Sequence, residues 1–287
     1  NAMDSKEFGL VFGQQLTGME DLHYGFWDDT IPEISVLYMK QAQLRYTEQI
    51  IETIEAHGSG PQRIIDVGCG TGQVLVALSE RGHQVDGVIP APHLESRVRE
   101  KVAAGDLNST VWGCTLQDVP VDTLAGQYDT VLFSESFQYI PYQTALAAAN
   151  TLLKPGGHVV ICDFFKTDNT GDGQPGDKSF GGGHPYTKFV KDLEASDWEV
   201  LENSDITANT SPNIHLLDVL LRERIGPAMG TLDQYLGERH GLILKSVKWL
   251  FRKKLAKLKF KYLSGHRSQA VFERYKTYRR IVLKKAG

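Results

Sequence analysis

The chain has 287 residues, 41% of them hydrophobic, and a formal net charge of −4 from 31 basic and 35 acidic side chains. That balance fits one large globular domain or a domain with a cap, and it argues against fibrous, low-complexity and nucleic-acid-coating classes. No apolar run approaches a membrane span or signal peptide. Asn1-Ala2 before Met3 read as a cloning remnant, and Cys69, Cys114 and Cys162 lack metal-ligand spacing and read as buried thiols of a reducing cytoplasm.

Residues 1–58 read as an N-terminal cap outside any sheet. It holds the aromatic string Leu22-His23-Tyr24-Gly25-Phe26-Trp27 and then amphipathic helix across Ile34 to Ile54. The plain reading of these aromatics is packing onto a core. Residues 59–210 read as the core domain. Ile64-Ile65 forms a buried strand, Asp66-Val67-Gly68-Cys69-Gly70-Thr71-Gly72 a turn, and Gln73 to Arg81 a helix with Val74, Leu75, Ala77 and Leu78 on one face. Glycines in such a turn adopt unusual backbone angles and let a ligand approach the main chain. The free amides at the helix start favour a negative group. The spacing G-x-G-x-G after an acid is neither the G-x-G-x-x-G of dinucleotide sites nor a P-loop, which ends in Gly-Lys-Ser/Thr.

Further strands are expected over Gln84 to Ile89, Ser109 to Thr115, Tyr128 to Phe133, His158 to Phe164, Trp198 to Ile206 and Phe272 to Leu283, the last antiparallel. Helices are expected over Pro92 to Ala104, Thr144 to Leu153 and Tyr186 to Ala195. Between Thr167 and Tyr186 the chain is polar and glycine-rich, a solvated connection or a gate over the carboxyl ends of the sheet, and it carries His184. Residues 211–267 read as a helical lid inserted before the final strand of 268–287. Within residues 244–262, Leu244, Val247, Phe251, Leu255, Leu258 and Tyr262 recur at helical spacing. Lys245, Lys248, Arg252, Lys253, Lys257, Lys259 and Lys261 fill the rest, with no acid between Glu238 and Glu273. This helix reads as a lid with a solvated basic face. Alternatives are contact with an anionic membrane surface, an acidic carrier protein, or a phosphorylated or carboxylated acceptor. A nucleic acid is less favoured because the positive charge is confined to this insertion.

The acidic-x-Gly-x-Gly-x-Gly turn, together with Leu152-Leu153-Lys154-Pro155-Gly156-Gly157 before an apolar strand, resembles the class I S-adenosylmethionine-dependent methyltransferases of the small-molecule and lipid type. The resemblance implies an α/β, Rossmann-like, doubly wound seven-stranded sheet with an antiparallel last strand. It also implies S-adenosyl-L-methionine as methyl donor and S-adenosyl-L-homocysteine as product. It puts the methionine end of the cofactor on Asp66, Gly68, Cys69, Gly70, Gly72 and Gln73, and the ribose at Ile89. The adenine then falls on Thr115, Leu116 and Gln117, with Ser134, Glu135 and Ser136 beside the transferable methyl group. Tyr24 would meet the methionine carboxylate, while Phe26 or Trp27 would wall the acceptor pocket.

Three positions depart from the family pattern. Ile89 stands where an acid accepts the ribose hydroxyls, and Asp86 has the wrong strand parity to replace it, leaving His93 or Ser96 as candidates. Thr115 stands where an Asp accepts from the adenine amino group. Tyr139 stands where many relatives carry His, which removes the readiest base. The acceptor-side candidates for catalysis are Tyr24, Tyr139 and His184, with His23 next. The implied activity is methyl transfer to a small, apolar or lipid-like acceptor, at oxygen or carbon, in the cytoplasm or peripheral to a membrane. Alternatives are cyclopropanation or cyclisation on the same scaffold, or a non-catalytic scaffold protein.

Overall fold

In the computed structural model, residues 23–286 are described; the first 22 residues of the expected cap, Leu22 included, lie outside the described residues. The elements in chain order are α1 (Met39–His57), β1 (Arg63–Val67), α2 (Gln73–Glu80), β2 (Gln84–Val88), α3 (Pro92–Ala104), β3 (Val111–Trp112), β4 (Tyr128–Ser134), α4 (Tyr142–Leu152) and β5 (Leu153–Lys166). They continue with α5 (Tyr186–Glu194), β6 (Trp198–Asp205), α6 (Pro212–Val219), α7 (Gly226–Leu263), α8 (Gln269–Tyr275) and β7 (Lys276–Lys285). One seven-stranded sheet has the order β3-β2-β1-β4-β5-β7-β6. Strands β1 to β5 pair in parallel, and β7 runs antiparallel between β5 and β6.

The apolar runs of the central strands bury both faces, as parallel sheets do. Side-chain alternation divides them. Ile64, Leu132, Val160 and Val282 pack under α1, α2 and α3 with Ile50, Leu75 and Val98. Ile65, Val131, Val159 and Ile281 pack under α4 and α5 with Ala149 and Phe189. The strand order reverses at β1, so the carboxyl ends of β1 and β4 diverge into a crevice, where ligands of such sheets bind. That crevice receives the glycine turn.

The structure corrects three boundaries. The third strand is two residues long instead of seven, since Thr110 turns its amide to Asp86 Oδ1 at 2.8 Å and the chain leaves the sheet after Trp112. The expected start of the seventh strand, Phe272 to Tyr275, is helical: Ser268 caps α8 by accepting from the Val271 amide, and Phe272 and Tyr275 are buried at helical spacing. The basic segment is not one straight helix. His240 has non-helical angles inside α7, and Lys248 reaches Asp233 at 2.6 Å, although 15 residues of straight helix would span about 22 Å. A Cβ on Gly226 would lie 3.6 Å from Leu263 Cδ2, so the two ends of α7 meet. The insertion is a helical hairpin with its tip at His240. Of the expected apolar stripe, Phe251 and Leu255 are exposed, while Leu244, Val247, Leu258 and Tyr262 are not among the described side chains.

The cap is bolted to the start of the insertion through its glycine. The Gly25 amide donates to Asn213 Oδ1 at 3.0 Å, and Asn213 Nδ2 returns a bond to the Gly25 carbonyl at 2.8 Å. A Cβ on Gly25 would sit 2.6 Å from Ala42 Cβ, so only glycine lets the string pass between α1 and α6.

Candidate cofactor and acceptor site

The glycine turn divides its labour. Gly68, Gly70 and Gly72 all have positive φ, at 81°, 55° and 82°, where side chains other than hydrogen are strained. The Gly68 and Cys69 amides both donate to the Val88 carbonyl, at 2.8 and 3.1 Å, which holds the turn to β2. A Cβ on Gly68 would lie 2.4 Å from Ser136 Cβ, and one on Gly72 3.3 Å from Val98. Ser136 Oγ donates to the Val67 carbonyl, so the exit of β4 is packed directly on the turn. Gly70 alone faces open space, with nothing within 4 Å of its missing Cβ. Gln73 begins α2 just behind it.

At the head of the turn, Asp66 is buried at 1% exposure. Its carboxylate makes no hydrogen bond among the described residues, and Oδ1 is enclosed without a partner. Burial pushes its pKa up to about 7. An orphaned buried carboxylate beside an open main chain fits a cationic group such as the ammonium of an amino acid. Cys69 is buried too, which pushes its thiol far up and leaves it inert.

At the ends of β2 and β3, Ile89 is buried and its amide donates to the Trp112 carbonyl at 2.9 Å. Asp86 is held on the far side of the strand by the Tyr128 hydroxyl at 2.7 Å and Arg63 at 3.3 Å. Ser96 Oγ is turned back to the His93 carbonyl at 3.1 Å. Sequence reasoning missed Glu95. Its carboxylate crosses from α3 to the end of β3, where a Cβ on Gly113 would be 2.2 Å from its Oε2, and Arg99 steadies it at 2.9 Å. The Glu95–Arg99 spacing of four on α3 was the available signal. Thr115 Oγ donates to Asp118 at 2.6 Å, which leaves its lone pairs to accept from an amino group. Leu116 is buried at the start of the short turn that Gln117 and Asp118 complete.

A family model described as a methyltransferase domain matches residues 38–219. The chain belongs to the class I S-adenosylmethionine-dependent methyltransferases. The ubiquinone biosynthesis O-methyltransferase of Acinetobacter baumannii (strain AYE) is 25% identical over 235 residues, covering 75% of this chain and 90% of that protein. A candidate sarcosine dimethylglycine methyltransferase from Galdieria sulphuraria superposes with a TM-score of 0.70 at 18% identity, covering 96% of this chain and 97% of the other. The geranyl diphosphate C-methyltransferase of Streptomyces coelicolor A3(2) gives 0.65 at 15%, covering 94% and 93%. The last two likenesses show the shared fold.

Beyond the glycine turn of the methyltransferase, the cap, β4, β7 and α8 meet. Glu135 follows β4 with φ 55°, a left-handed angle rare outside glycine. Its Oε1 accepts from the Tyr24 amide at 2.7 Å and from the Tyr278 hydroxyl at 3.0 Å. The Tyr278 and Tyr46 hydroxyls are 2.8 Å apart. The Tyr24 ring lies 5.3 Å from Tyr278 and 6.0 Å from Phe272, which in turn faces Phe164 at 5.9 Å and Phe180 at 5.2 Å. Phe180 comes from the glycine-rich connection, which Lys276 ties down by donating to the Gly182 carbonyl at 2.6 Å. The methyltransferase thus has a packed aromatic cluster beside the fourth-strand exit.

The three expected catalytic side chains fare differently. His184 Nε2 lies 3.0 Å from the Phe137 carbonyl, so that nitrogen is a donor, and the ring is wedged between Phe137 and Tyr142 on the α4 face. The ring packs there, and the carbonyl acceptor places the proton on Nε2 and the lone pair on Nδ1. Tyr139 is an exposed ring whose hydroxyl is pushed up by partial burial and by the charges of Asp163 and Glu135. Burial, then the Glu135 charge, holds Tyr24 strongly protonated. Both tyrosines can donate but cannot serve as bases near neutrality. Phe26 joins the core with Tyr46 and Ile50, and Trp27 packs with Ile31, Met39 and Leu216. A cavity of about 460 Å³ between α4 and α5 is lined by Tyr142 but by none of the expected site residues.

Proposed function

We propose that this methyltransferase methylates a hydroxyl oxygen or stabilised carbon of a small, apolar or lipid-like acceptor. The observation that carries this reading is the aromatic cluster of Tyr24, Phe164, Phe180, Phe272 and Tyr278 beside the exit of β4, which packs on the glycine turn through Ser136. Aromatic walls with few polar groups suit an apolar ligand. The relatives act in ubiquinone biosynthesis and on geranyl diphosphate, which supports acceptors of this class.

S-adenosylmethionine supplies an electrophilic methyl carbon on a sulfonium. Asp66 would hold its ammonium and the backbone at Gly70 its methionine end, while Thr115 and the turn at Leu116 would hold the adenine and Glu95 the ribose side. Ser134 lines the floor where β4 ends. Aligning nucleophile and methyl group in this way can supply about 7–11 kcal/mol, and the cap and the 167–185 connection would exclude water on closing over the ligands. The test is turnover with apolar phenols, hydroquinones and long-chain alcohols, read by mass. The expected product is one methylene heavier, with an equal amount of S-adenosylhomocysteine. An isomerised acceptor of unchanged mass would replace methylation by cyclisation, and a scaffold protein would consume nothing.

The α7 hairpin fits an anionic lipid surface in this reading. Trp249, Leu250 and Phe260 are exposed at 68%, 68% and 60%, on the limb that also exposes Lys245, Lys248, Arg252, Lys253, Lys254 and Lys259. No helix among the described residues is long and apolar enough to cross a membrane, so the contact would be interfacial, with apolar rings inserted and lysines at the headgroups. Cosedimentation with phosphatidylglycerol vesicles and not with phosphatidylcholine vesicles is the expected result, lost in high salt. Equal failure with both would make the hairpin a solvated lid.

A further inference from the structure

An acceptor hydroxyl must lose its proton to be methylated, and Tyr24, Tyr139 and His184 Nε2 are all donors in this fold. Glu135 is placed otherwise. It stands one residue beyond β4, next to the strand end that packs on the glycine turn, and it adopts a left-handed backbone that is strained for a side-chain-bearing residue. Such strain in a non-glycine residue is a pointer toward function when the surroundings enforce it. Here they do: Oε1 is fixed by the Tyr24 amide and the Tyr278 hydroxyl, at 2.7 and 3.0 Å. Because Tyr278 gives its proton to Glu135, it accepts from Tyr46, which makes a directed chain Tyr46–Tyr278–Glu135. Oε2 makes no hydrogen bond among the described residues. No Lys or Arg forms an ion pair with Glu135 among them either, so the carboxylate is not held as part of a salt bridge.

We propose that Glu135 is the general base for methyl transfer to an O–H acceptor, an inference that rests on the oxygen-acceptor form of the reading above. Oε2 takes the hydroxyl proton as the acceptor oxygen's lone pair forms the new O–CH3 bond. The C–S bond pair stays on sulfur, leaving neutral S-adenosylhomocysteine and a protonated Glu135 that returns its proton to water. The groups facing it are Tyr24 from the cap, Tyr46 from α1, Tyr139 beyond β4, Cys162 and Asp163 from β5, and Tyr278 from β7. None is a cation. Burial, reinforced by Asp163, pushes Glu135 up to about 8, so its basicity is matched to a phenol near neutral pH. In this reading Glu135, expected beside the cofactor, acts on the acceptor.

The test is Glu135→Gln, compared with wild type in three readouts. S-adenosylhomocysteine affinity by calorimetry should change less than about threefold. Turnover of hydroquinone should fall roughly 10²–10⁴-fold, while 4-nitrophenol, already ionised at pH 8, should lose less than about tenfold. The wild-type rate with hydroquinone should climb with pH to a plateau above about 8, and the variant should lose that limb. An equal loss for both phenols, an unchanged rate, or a large loss of S-adenosylhomocysteine affinity would overturn the assignment. If the wild type binds S-adenosylhomocysteine but methylates neither phenol, the oxygen-acceptor reading itself falls, and the base with it.

Discussion

Gly70→Val is expected to lower S-adenosylhomocysteine affinity by about 10²–10⁴-fold, the equivalent of two lost charge-assisted hydrogen bonds at about 1.5–3 kcal/mol each. Gly70 is the one glycine of the turn whose missing Cβ faces open space, and its φ is 55°. A valine there puts two methyl groups where the ligand must reach the main chain. It also strains a backbone angle that a β-branched residue tolerates badly. Part of any loss could be global destabilisation, so Gly126→Val is the matched control. Gly126 has φ 66° and equally open space, far along the chain in the approach to β4. Both variants should lose similar thermal stability, and only the first should lose binding. Equal binding losses would place the effect in the fold instead of the turn.

The pH dependence should be nearly as large. Asp66 has a folded pKa raised by burial to about 7, against an ordinary value of 3.8. The folded apo protein therefore holds this proton more tightly than the unfolded chain does. The contribution to stability is fully present below the unfolded value and is lost as pH rises toward 7. Asp163 is raised likewise to about 7 by burial, which its bonds from Gln138 and Phe164 only partly offset, and it adds in the same direction. A ligand ammonium placed at Asp66 favours the ionised form, so binding must release the proton wherever it is still held. S-adenosylhomocysteine affinity is thus expected to rise up to about tenfold per unit between roughly pH 5.5 and 7 and then level off. The thermal shift it confers should grow over the same range, while the apo melting temperature falls. Asp66→Asn should remove the pH dependence of binding, and a flat wild-type profile would separate Asp66 from the ligand.

The core of this fold was legible because its signals are local. Ile64-Ile65 followed by the glycine turn, and Lys154-Pro155-Gly156-Gly157 inside the start of β5, mark the strands that carry the crevice. Parity along β2 correctly removed Asp86, which the structure commits to Tyr128 and Arg63. What escaped depends on contacts between distant segments. Glu95 reads as an ordinary exposed helix residue until α3 is laid across Gly113. Glu135 was placed at the fourth-strand exit by the resemblance, but its hydrogen bond from the Tyr24 amide, 111 positions away, was not legible there. His184 was attractive as an ionisable group in a glycine-rich connection, and only the β4 exit shows that its ring fills a hole between Phe137 and Tyr142. The helix α8 was hidden because Val271, Phe272 and Tyr275 suit a strand by residue type, and the Ser268 cap overrode that propensity. The hairpin in α7 was hidden because nothing in a lysine-rich amphipathic pattern reports a fold-back at His240.

Calorimetric titration of the wild-type protein with S-adenosylmethionine and S-adenosylhomocysteine at pH 7.5 tests the central claim most directly. Binding of one equivalent of each with micromolar affinity is expected, despite Ile89 at the ribose position and Thr115 at the adenine position. Absence of binding up to millimolar ligand would contradict the assignment of the glycine turn and the β4 exit as a working methyl-transfer site.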